Sequence, residues 1–361
     1  MSWGWLVMLL LAACAAQEPF KIGVIAAQTG AGDFFGQQEL RGLELAREDI
    51  NTHGGIQGRQ VEFVIEDSAT TGPGAVTAMQ KLINVDGLKF IIGDSWASST
   101  VPIVPIANNA SVILISPIAG LDSLSADDFF FRTMAGTSDM MKAIGAYACA
   151  HNLKRVAAIR SETPFGIEHV QSFKTALAKC GGELVREEKV ELSDRDFHTA
   201  LLHVKESHPD AVFDLVASGA TIGLLMKQAL EVGIADVPYF SSFGAEASDL
   251  LTQYGRESEG IVYPYPYDSS ASGSVEEFRI KYKQKYGDVS DNTAANAYDA
   301  LMLLAKAINN AGEETTAVKY ALLDVQNYSG ASGTVSFNQN GDVKKKIILK
   351  HVHNNSFVKM E

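Results

Sequence analysis

The segment Phe90–Pro117, FIIGDSWASSTVPIVPIANNASVILISP, contains two short apolar runs separated by a polar loop and a longer apolar stretch. Phe90, Ile91 and Ile92 form the first run, which ends at Gly93. It is short enough for a strand buried on both faces of a parallel sheet. The segment therefore predicts a strand, a polar loop, a short helix and a second strand, which is the repeating unit of an open α/β sheet.

The polar loop follows the carboxyl end of the first strand, and its polar residues are Asp94, Ser95, Ser98, Ser99 and Thr100. Pro102 is expected in the first turn of the helix, where a missing N–H costs nothing. Free backbone N–H groups at such a junction bind small polar or anionic ligands in open α/β sheets. The alternative is a simple capping cluster, because Ser and Thr cap many helices whatever the function of the protein.

The same alternation of strands and helical patterns continues on both sides of this segment. Before it come strands at 22–26 and 61–65, each followed by an amphipathic helix, and after it a strand at 129–132. A second series of strands and helices then runs from 138 to 263, followed by a connector, YPYPYDSSASG, at 263–273. Two long helices and two short strands, at 334–337 and 345–353, complete the chain. This pattern predicts two doubly wound α/β lobes.

Composition limits the partners of the protein. The chain has 361 residues, enough for two domains, and 30 Lys and Arg residues against 43 Asp and Glu give a formal net charge of −13. This charge argues against nucleic acids and anionic membrane surfaces as partners.

The N-terminus indicates export. Trp5–Ala13 is an apolar run too short to cross a bilayer, and Leu11-Ala12-Ala13-Cys14 follows the pattern of a bacterial or archaeal lipobox. In that interpretation residues 1–13 are a lipoprotein signal peptide and Cys14 is the lipidated first residue of the mature protein. The alternative is an ordinary secretory signal cut after Ala13 or Ala16, since Met1–Gly4 contains no Lys or Arg.

Other reactive residues give weaker patterns. Cys149 and Cys180 each close a predicted helix beside one strand, so they form either a disulfide or two buried free thiols. His351 and His353 share one face of a strand, but two imidazoles without a third ligand make a poor metal site, so we expect surface residues of an edge strand. Lys344–Lys346 is interpreted as a solvated charge run. No catalytic motif is found, and neither an enzyme activity nor a cofactor is predicted.

Several motifs in order resemble the leucine/isoleucine/valine-binding protein family, the type I periplasmic solute-binding proteins of ABC importers. The motifs are Gly30-Ala31-Gly32 with Phe35-Gly36, Ile50 through Arg59, Glu66-Asp67, Ile92-Gly93 with Ser98-Ser99-Thr100, Ile115-Ser116-Pro117, Phe131-Arg132-Thr133, Phe165-Gly166, Asp196-Phe197 and Glu259-Gly260. The resemblance covers about residues 20–357.

This resemblance implies a type I periplasmic-binding fold, with two Rossmann-like lobes joined by three crossover segments and a ligand in the cleft between them. The crossings are expected near 134–135, 265–267 and 339–342. Lobe one would then comprise 20–134 plus 268–338, and lobe two 135–267 plus 339–361.

The family's ligand-binding positions also transfer, with departures. Ala97 stands where amino-acid binders have a serine for the ligand carboxylate, Gly120 where they have a threonine, Ser218 where they have a tyrosine, and Phe243 where they have the acid that meets the ligand ammonium. Aromatic wall positions are kept. The expected ligand-binding residues are Phe35, Trp96, Ala97, Ser98, Ile118, Ala119, Gly120, Phe165, Ser218 and Phe243.

The resemblance therefore implies an exported, lipid-anchored, monomeric substrate-binding protein serving an ABC permease and ATPase of the branched-chain amino acid class. The site departures favour a carboxylate or an amide over an amino acid. Contact with the membrane would be through the lipid anchor alone. The alternatives are a ligand-sensing receptor module working with a separate signalling partner, and a hydrolase.

Overall fold

The computed structural model describes residues 17–126, 128–216 and 219–361. Residues 1–16, which include the predicted signal peptide and Cys14, lie outside the described residues, as does Ser218. No helix in these described ranges is both long and apolar enough to cross a membrane.

The first lobe is built on a five-stranded parallel sheet in the order β2-β1-β3-β4-β5. Its elements are β1 (Phe20–Ala26), α1 (Asp33–Thr52), β2 (Val61–Asp67), α2 (Gly72–Asn84), β3 (Phe90–Gly93), α3 (Ala97–Ala110), β4 (Ile113–Ser116) and β5 (Phe130–Arg132). Buried side chains cover both faces of the sheet, as the apolar strand sequences predicted.

The second lobe is built on a seven-stranded mixed sheet. Its elements up to the connector are α4 (Thr137–Ala150), β6 (Arg155–Ser161), α5 (Pro164–Leu177), β7 (Glu183–Val190), α6 (His198–Glu206), β8 (Ala211–Leu215), α7 (Gly219–Val232), β9 (Tyr239–Phe240), α8 (Ser248–Tyr254) and β10 (Val262–Tyr265). The last two strands of the chain, β13 (Ile348–His353) and β14 (Ser356–Lys359), are antiparallel to their neighbours. The strand order is β14-β13-β10-β9-β8-β6-β7.

The C-terminal third of the chain divides between the lobes. Its elements are α9 (Ser274–Tyr286), α10 (Asn292–Ala311), α11 (Thr315–Leu323), β11 (Tyr328–Gly330), β12 (Gly333–Val335), β13 (Ile348–His353) and β14 (Ser356–Lys359). Helix α10 packs on α1 so closely that a Cβ at Gly42 would lie 2.1 Å from the Ala294 carbonyl oxygen. The chain thus passes between the lobes three times, after β5, after β10 and before β13.

Both sheets place a topological switch point at the same side of the molecule. The strand order reverses between β1 and β3 in the first sheet, and between β6 and β8 in the second. Ligands of open α/β sheets bind at the carboxyl ends of the strands that flank this point. A ligand is therefore expected at the loops that follow these four strands.

Four details differ from the sequence-based expectations. Pro102 is the sixth residue of α3 and not in its first turn, because the helix already begins at Ala97. Strand β10 extends to Tyr265, so the first residues of the connector predicted at 263–273 belong to a strand. His351 and His353 do not lie on the edge strand, because β14 covers that edge. The short elements α8, α11 and β14 were not predicted, because their apolar periods are too brief to stand out.

Lys345 is the clearest correction, because it is buried and not part of a solvated charge run. It is 8% exposed, and its ammonium donates to the Asn296 side chain and to Ser332 Oγ, at 2.6 Å for the latter. Burial lowers its pKa to about 8, while the nearby Asp299 carboxylate acts in the opposite direction. The aliphatic stem and the polar partners pack together at the passage that leads to β13.

Cys149 and Cys180 form a disulfide, which decides between the two alternatives that the sequence left open. The bond joins the last turn of α4 to the 3-10 turn at 178–180 after α5, across a separation of 31 residues.

Candidate functional site

A cavity lies between the lobes at the two switch points, which is where open α/β folds bind small molecules. Both lobes contribute to its wall. The lining residues are Phe35, Ser95, Trp96, Ala97, Ser98, Ile118, Gly120 and Leu121 from the first lobe, and Met140, Ser161, Thr163, Phe165, His169, Leu192, Val216, Ser242, Phe243 and Gly244 from the second.

The turn between β3 and α3 presents free hydrogen-bond donors to this cavity. Trp96 caps α3 without a side-chain hydrogen bond, and the hydroxyls of Ser99 and Thr100 donate backwards to the Trp96 carbonyl, at 2.9 and 3.1 Å. Neither hydroxyl therefore accepts from the first backbone N–H groups of the helix. The backbone N–H groups of Ala97 and Ser98 donate no hydrogen bond to any of the described residues. The capping interpretation is thus wrong for this cluster, and the donors remain available to a ligand.

Two buried acids, Glu39 and Asp94, lie beside the turn. Glu39 of α1 is fully buried and accepts a hydrogen bond from the Ser95 hydroxyl, which in turn accepts the N–H of Ala27 at 3.1 Å. Burial raises the pKa of Glu39 well above its usual range, and burial likewise raises the pKa of Asp94 to about 6. Neither acid lines the cavity. Glu39 thereby fixes the Ser95 side chain at the start of the loop.

The segment after β4 explains one departure from the family pattern. A Cβ at Gly120 would lie 2.5 Å from the Ala135 carbonyl oxygen, so a threonine does not fit this backbone without a shift. The carbonyl of Gly120 is also held, because it accepts from the N–H of Thr137 at 2.7 Å and from its hydroxyl at 3.0 Å. The Gly120 position can therefore offer only backbone groups to a ligand.

Aromatic rings form a continuous wall that crosses the cleft. The ring centroids of Phe35 and Trp96 are 5.9 Å apart, those of Phe35 and Phe243 are 6.5 Å apart, and those of Phe165 and Phe243 are 6.1 Å apart. Phe35 belongs to the first lobe and Phe243 to the second, so the contact between these rings joins the lobes. Such tilted and edge-on pairs suit the enclosure of an apolar ligand body.

Among the lining residues that the structure describes, His169 is the one with a titratable side chain. It is 1% exposed, its Nδ1 lies 2.9 Å from the Phe165 carbonyl oxygen, and its ring lies against that of Phe165 with centroids 3.9 Å apart. Burial lowers the pKa of His169 to about 4, so the imidazole is neutral near neutral pH. Among the described lining residues, none carries a carboxylate, an ammonium or a guanidinium group.

Charged groups do occur in a smaller cavity behind Phe35 and Phe243. Glu246 and Asp291 line it. The Glu246 carboxylate accepts hydrogen bonds from the ammonium of Lys350 and from the hydroxyl of Tyr263. Burial raises the pKa of Asp291 to about 7, and its carboxylate caps α10 by accepting the N–H of Ala294 at 2.8 Å. These acids stabilise the strand and helix ends at the connector and are separated from the main cavity by the two rings.

The structure brings eight of the ten expected residues to the cavity wall: Phe35, Trp96, Ala97, Ser98, Ile118, Gly120, Phe165 and Phe243. Ala119 lies elsewhere, since it is fully buried in the first lobe's core and its N–H donates to Ser116 Oγ at 3.0 Å. Ser218 lies outside the described residues. That these side chains contact a ligand stays a prediction.

Sequence reasoning missed most of the second lobe's contribution. Ser161 and Thr163 stand at the carboxyl end of β6, a position that the chain order could have indicated, and His169 lies one helical turn after Phe165. Met140 and Leu192 neither follow a strand at a switch point nor lie one helical turn from an expected site residue. In the part of the chain that the structure covers, no group of three or more His, Cys, Asp or Glu side chains could hold a metal ion.

Comparisons with known proteins agree with this architecture. The family model described as periplasmic binding protein matches residues 19–352. The leucine-, isoleucine-, valine-, threonine- and alanine-binding protein of Pseudomonas aeruginosa is 26% identical over 91% of this chain and 88% of its own length.

Two solved structures show the same fold. A leucine-binding protein from Thermotoga maritima superposes with a TM-score of 0.89 at 26% identity, covering 94% of this chain and 97% of its own. A solute-binding protein of an ABC transporter from Rhodopseudomonas palustris, in complex with 3,4-dihydroxybenzoic acid, superposes with a TM-score of 0.84 at 25% identity, covering 95% and 97%. With two doubly wound lobes, an interlobe cavity and a family match over nearly the whole chain, this protein belongs to the periplasmic binding protein family, whose members bind substrates and are not enzymes.

Proposed function

We propose that this protein captures a small organic carboxylate or amide in the cleft between its lobes and delivers it to the permease and ATPase of an ABC importer. The single observation behind the choice of ligand is the absence of any charged side chain among the described lining residues. The importer is of the branched-chain amino acid class, in keeping with the relatives from Pseudomonas aeruginosa and Thermotoga maritima.

The lining disfavours an amino-acid zwitterion for an energetic reason. A carboxylate could accept from the N–H groups at Ala97 and Ser98, but an ammonium would find no carboxylate in this wall. A buried charge without a partner costs several kcal/mol. An anion or an amide needs only the donors that are present, and its apolar body can pack on Phe35, Trp96, Phe165 and Phe243.

The relatives include binders of both ligand classes, amino acids and aromatic carboxylates. The protein from Pseudomonas aeruginosa binds amino acids, whereas the structure from Rhodopseudomonas palustris contains an aromatic carboxylate. We assign this chain to the second kind because its cavity combines an aromatic wall with a neutral lining.

A thermal-shift panel tests the assignment. Purified protein is mixed with leucine, isoleucine and valine on one side and with aryl acids, alkyl acids and their amides on the other. We expect the acids or amides to raise Tm, because a ligand that binds only the folded state stabilises it by mass action. Stabilisation by the amino acids alone, at micromolar concentration, would overturn the choice of ligand and leave the family assignment intact.

The same proposal includes the lobe boundaries, with 20–134 plus 268–338 as lobe one and 135–267 plus 339–361 as lobe two. It also includes export, lipid anchoring at Cys14 and a monomeric state. Cys14→Ser should block processing or release the protein from membranes, and mass spectrometry of the mature N-terminus checks this. An unlipidated N-terminus at Ala15 or Gln17 would contradict the anchor.

A further inference from the structure

The Nε2 atom of His169 is a buried acceptor without a donor. His169 lies on α5 in the wall of the cavity, and the side chain is 1% exposed. Its Nε2 has no hydrogen-bond partner among the described residues. Leaving such an atom unpaired costs free energy, so native proteins seldom keep one without a reason.

The other ring nitrogen determines the tautomer. Nδ1 lies 2.9 Å from the carbonyl oxygen of Phe165, and a carbonyl can only accept. The proton of the neutral imidazole is therefore on Nδ1, and Nε2 carries a lone pair. Stacking on the Phe165 ring, with centroids 3.9 Å apart, holds the imidazole in this orientation.

The two sides of the cavity offer different hydrogen-bonding groups, and the second lobe also contributes the Ser242 hydroxyl, which accepts the N–H of Gly244 at 3.2 Å. The first lobe offers donors: the N–H groups of Ala97 and Ser98 and the hydroxyl of Ser98. The second lobe offers the acceptor at His169. The hydroxyls of Ser161 and Thr163 are already paired with each other at 2.9 Å, and Thr163 also accepts the N–H of Gly166 at 3.2 Å.

We propose that His169 Nε2 accepts a hydrogen bond from the ligand, so that the substrate is a small carboxylate or amide that carries a hydroxyl or N–H donor at the end away from its carboxylate or carbonyl. This inference rests on the proposed function, which places a small carboxylate or amide in this cavity. Nε2 has almost no surface open to a water-sized group, so a ligand's donor reaches it from the cavity only when side chains of the wall shift on binding. A hydroxylated aromatic acid has the required pattern, with an acceptor at one end, a ring in the middle and a donor at the other.

Matched ligands test the proposal on the wild-type protein. Calorimetry compares benzoate with the ortho, meta and para hydroxybenzoates and with the corresponding methoxybenzoates, which keep the oxygen but lack the proton. We expect at least one hydroxybenzoate to bind about 10-fold more tightly than benzoate and than its methoxy analogue. Equal affinity within every such set would overturn the proposal.

Two substitutions separate recognition from packing. His169→Leu removes the acceptor and should abolish or reverse the preference for the hydroxylated ligand, because its hydroxyl would then be buried unpaired. His169→Gln can place an amide oxygen near the position of Nε2 and should retain the preference. Loss of the preference in both variants, or its retention in both, would contradict the role of Nε2.

A spectroscopic readout does not depend on either variant folding. In wild-type protein with ¹⁵N-labelled histidine, the Nε2 resonance of His169 should shift on addition of the hydroxybenzoate and not on addition of the methoxy analogue. An unchanged resonance with bound hydroxybenzoate would count against the hydrogen bond.

Failure of the proposed function gives a different result. If leucine or valine bind and all aromatic acids do not, the choice of ligand is wrong. Threonine and valine then provide the test, because they differ only by a hydroxyl in place of a methyl. Comparing their affinities shows whether a hydroxyl donor on the ligand strengthens binding. Tighter binding of threonine that disappears in His169→Leu would support His169 as the acceptor, and equal binding would overturn it.

Discussion

The carboxylate of Glu168, on α5 in the second lobe, accepts the backbone N–H groups of Asp122 and Ser123 in the first lobe, at 2.5 and 3.1 Å. Asp122 begins the short 3-10 turn at 122–124, between β4 and β5. Glu168 adjoins His169, so one helical turn carries both a wall residue of the cavity and a contact that joins the lobes. Since the partners belong to different lobes, we expect this contact to break when the cleft opens.

Removing this contact should weaken the closed state. In Glu168→Ala two charge-assisted hydrogen bonds are lost, which we put at about 1 kcal/mol because the side chain is partly exposed. The Kd of any ligand that bridges the lobes should then rise about 5-fold, since closure contributes to binding. Calorimetry measures Kd, and small-angle scattering measures the compaction on ligand addition.

Glu206→Ala is the matched control for that variant. Glu206 is an exposed glutamate at the end of α6 in the same lobe, so its loss removes the same charge without touching the cleft. An equal loss of affinity in both variants would show that net charge, and not the interlobe contact, is responsible. Identical scattering radii with and without saturating ligand in the wild type would contradict hinge closure itself.

The two family positions that lack hydroxyls should respond differently to substitution. Ala97 is partly exposed at the cavity wall, so Ala97→Ser adds a donor beside the free N–H groups and should leave Tm nearly unchanged while tightening carboxylate binding. In Gly120→Thr the new Cβ would meet the Ala135 carbonyl, and we expect a loss of about 1 to 3 kcal/mol in the free energy of unfolding. Chemical denaturation of both variants tests this contrast, and an unaffected Gly120→Thr would contradict it.

The disulfide should stabilise the second lobe without affecting the cavity. Replacing Cys149 and Cys180 by Ala opens a loop of 31 residues and should lower the free energy of unfolding by about 2 to 4 kcal/mol, through the greater freedom of the unfolded chain. Ligand affinity should not change, because the bond lies at the far end of α5 from Phe165. Reductant should leave the Tm of the double variant unchanged. The Tm of the wild type should fall, on reduction, to the Tm of the double variant. A wild-type Tm unaffected by reductant would contradict this role.

Burial of neutral His169 predicts a specific pH dependence. Its pKa is lowered from 6.5 to about 4 in the folded state. As pH falls from 6.5 towards 4 the unfolded chain binds a proton that the folded protein does not, so stability falls with pH in this window. The shift corresponds to a loss of up to about 3 kcal/mol. Denaturation across this range should therefore show a shallower slope for His169→Leu than for wild type.

His208→Asn is the control for the pH experiment. His208 is exposed and has a left-handed backbone, which Asn tolerates. This variant should keep the wild-type slope. If His169→Leu keeps it as well, His169 is not held neutral in the folded protein.

Much of the architecture could be predicted because its signals are local. The apolar run at Phe90–Gly93, the spacing of buried residues in α1 and the alternation of strands with helices predicted two doubly wound lobes. The family resemblance then indicated which loops face the cleft, with Phe35 and Phe165 at kept aromatic positions, Trp96 as an addition and Phe243 in place of an acid. Helix periodicity, strand length and turn residues act over a few neighbouring positions, so sequence alone carries them.

The tertiary structure decided whatever depends on residues far apart in the chain. The burial of Lys345 needs Asn296 and Asp299 beside it, and a run of three lysines gives no sign of such partners. The donors at Ala97 and Ser98 are free only because Ser99 and Thr100 turn back to Trp96. The acceptor at His169 becomes visible only when α5 is placed against the cavity with Nδ1 already engaged. A side chain's hydrogen-bonding capacity is a property of its type, but whether that capacity is left over for a ligand depends on packing across the whole fold.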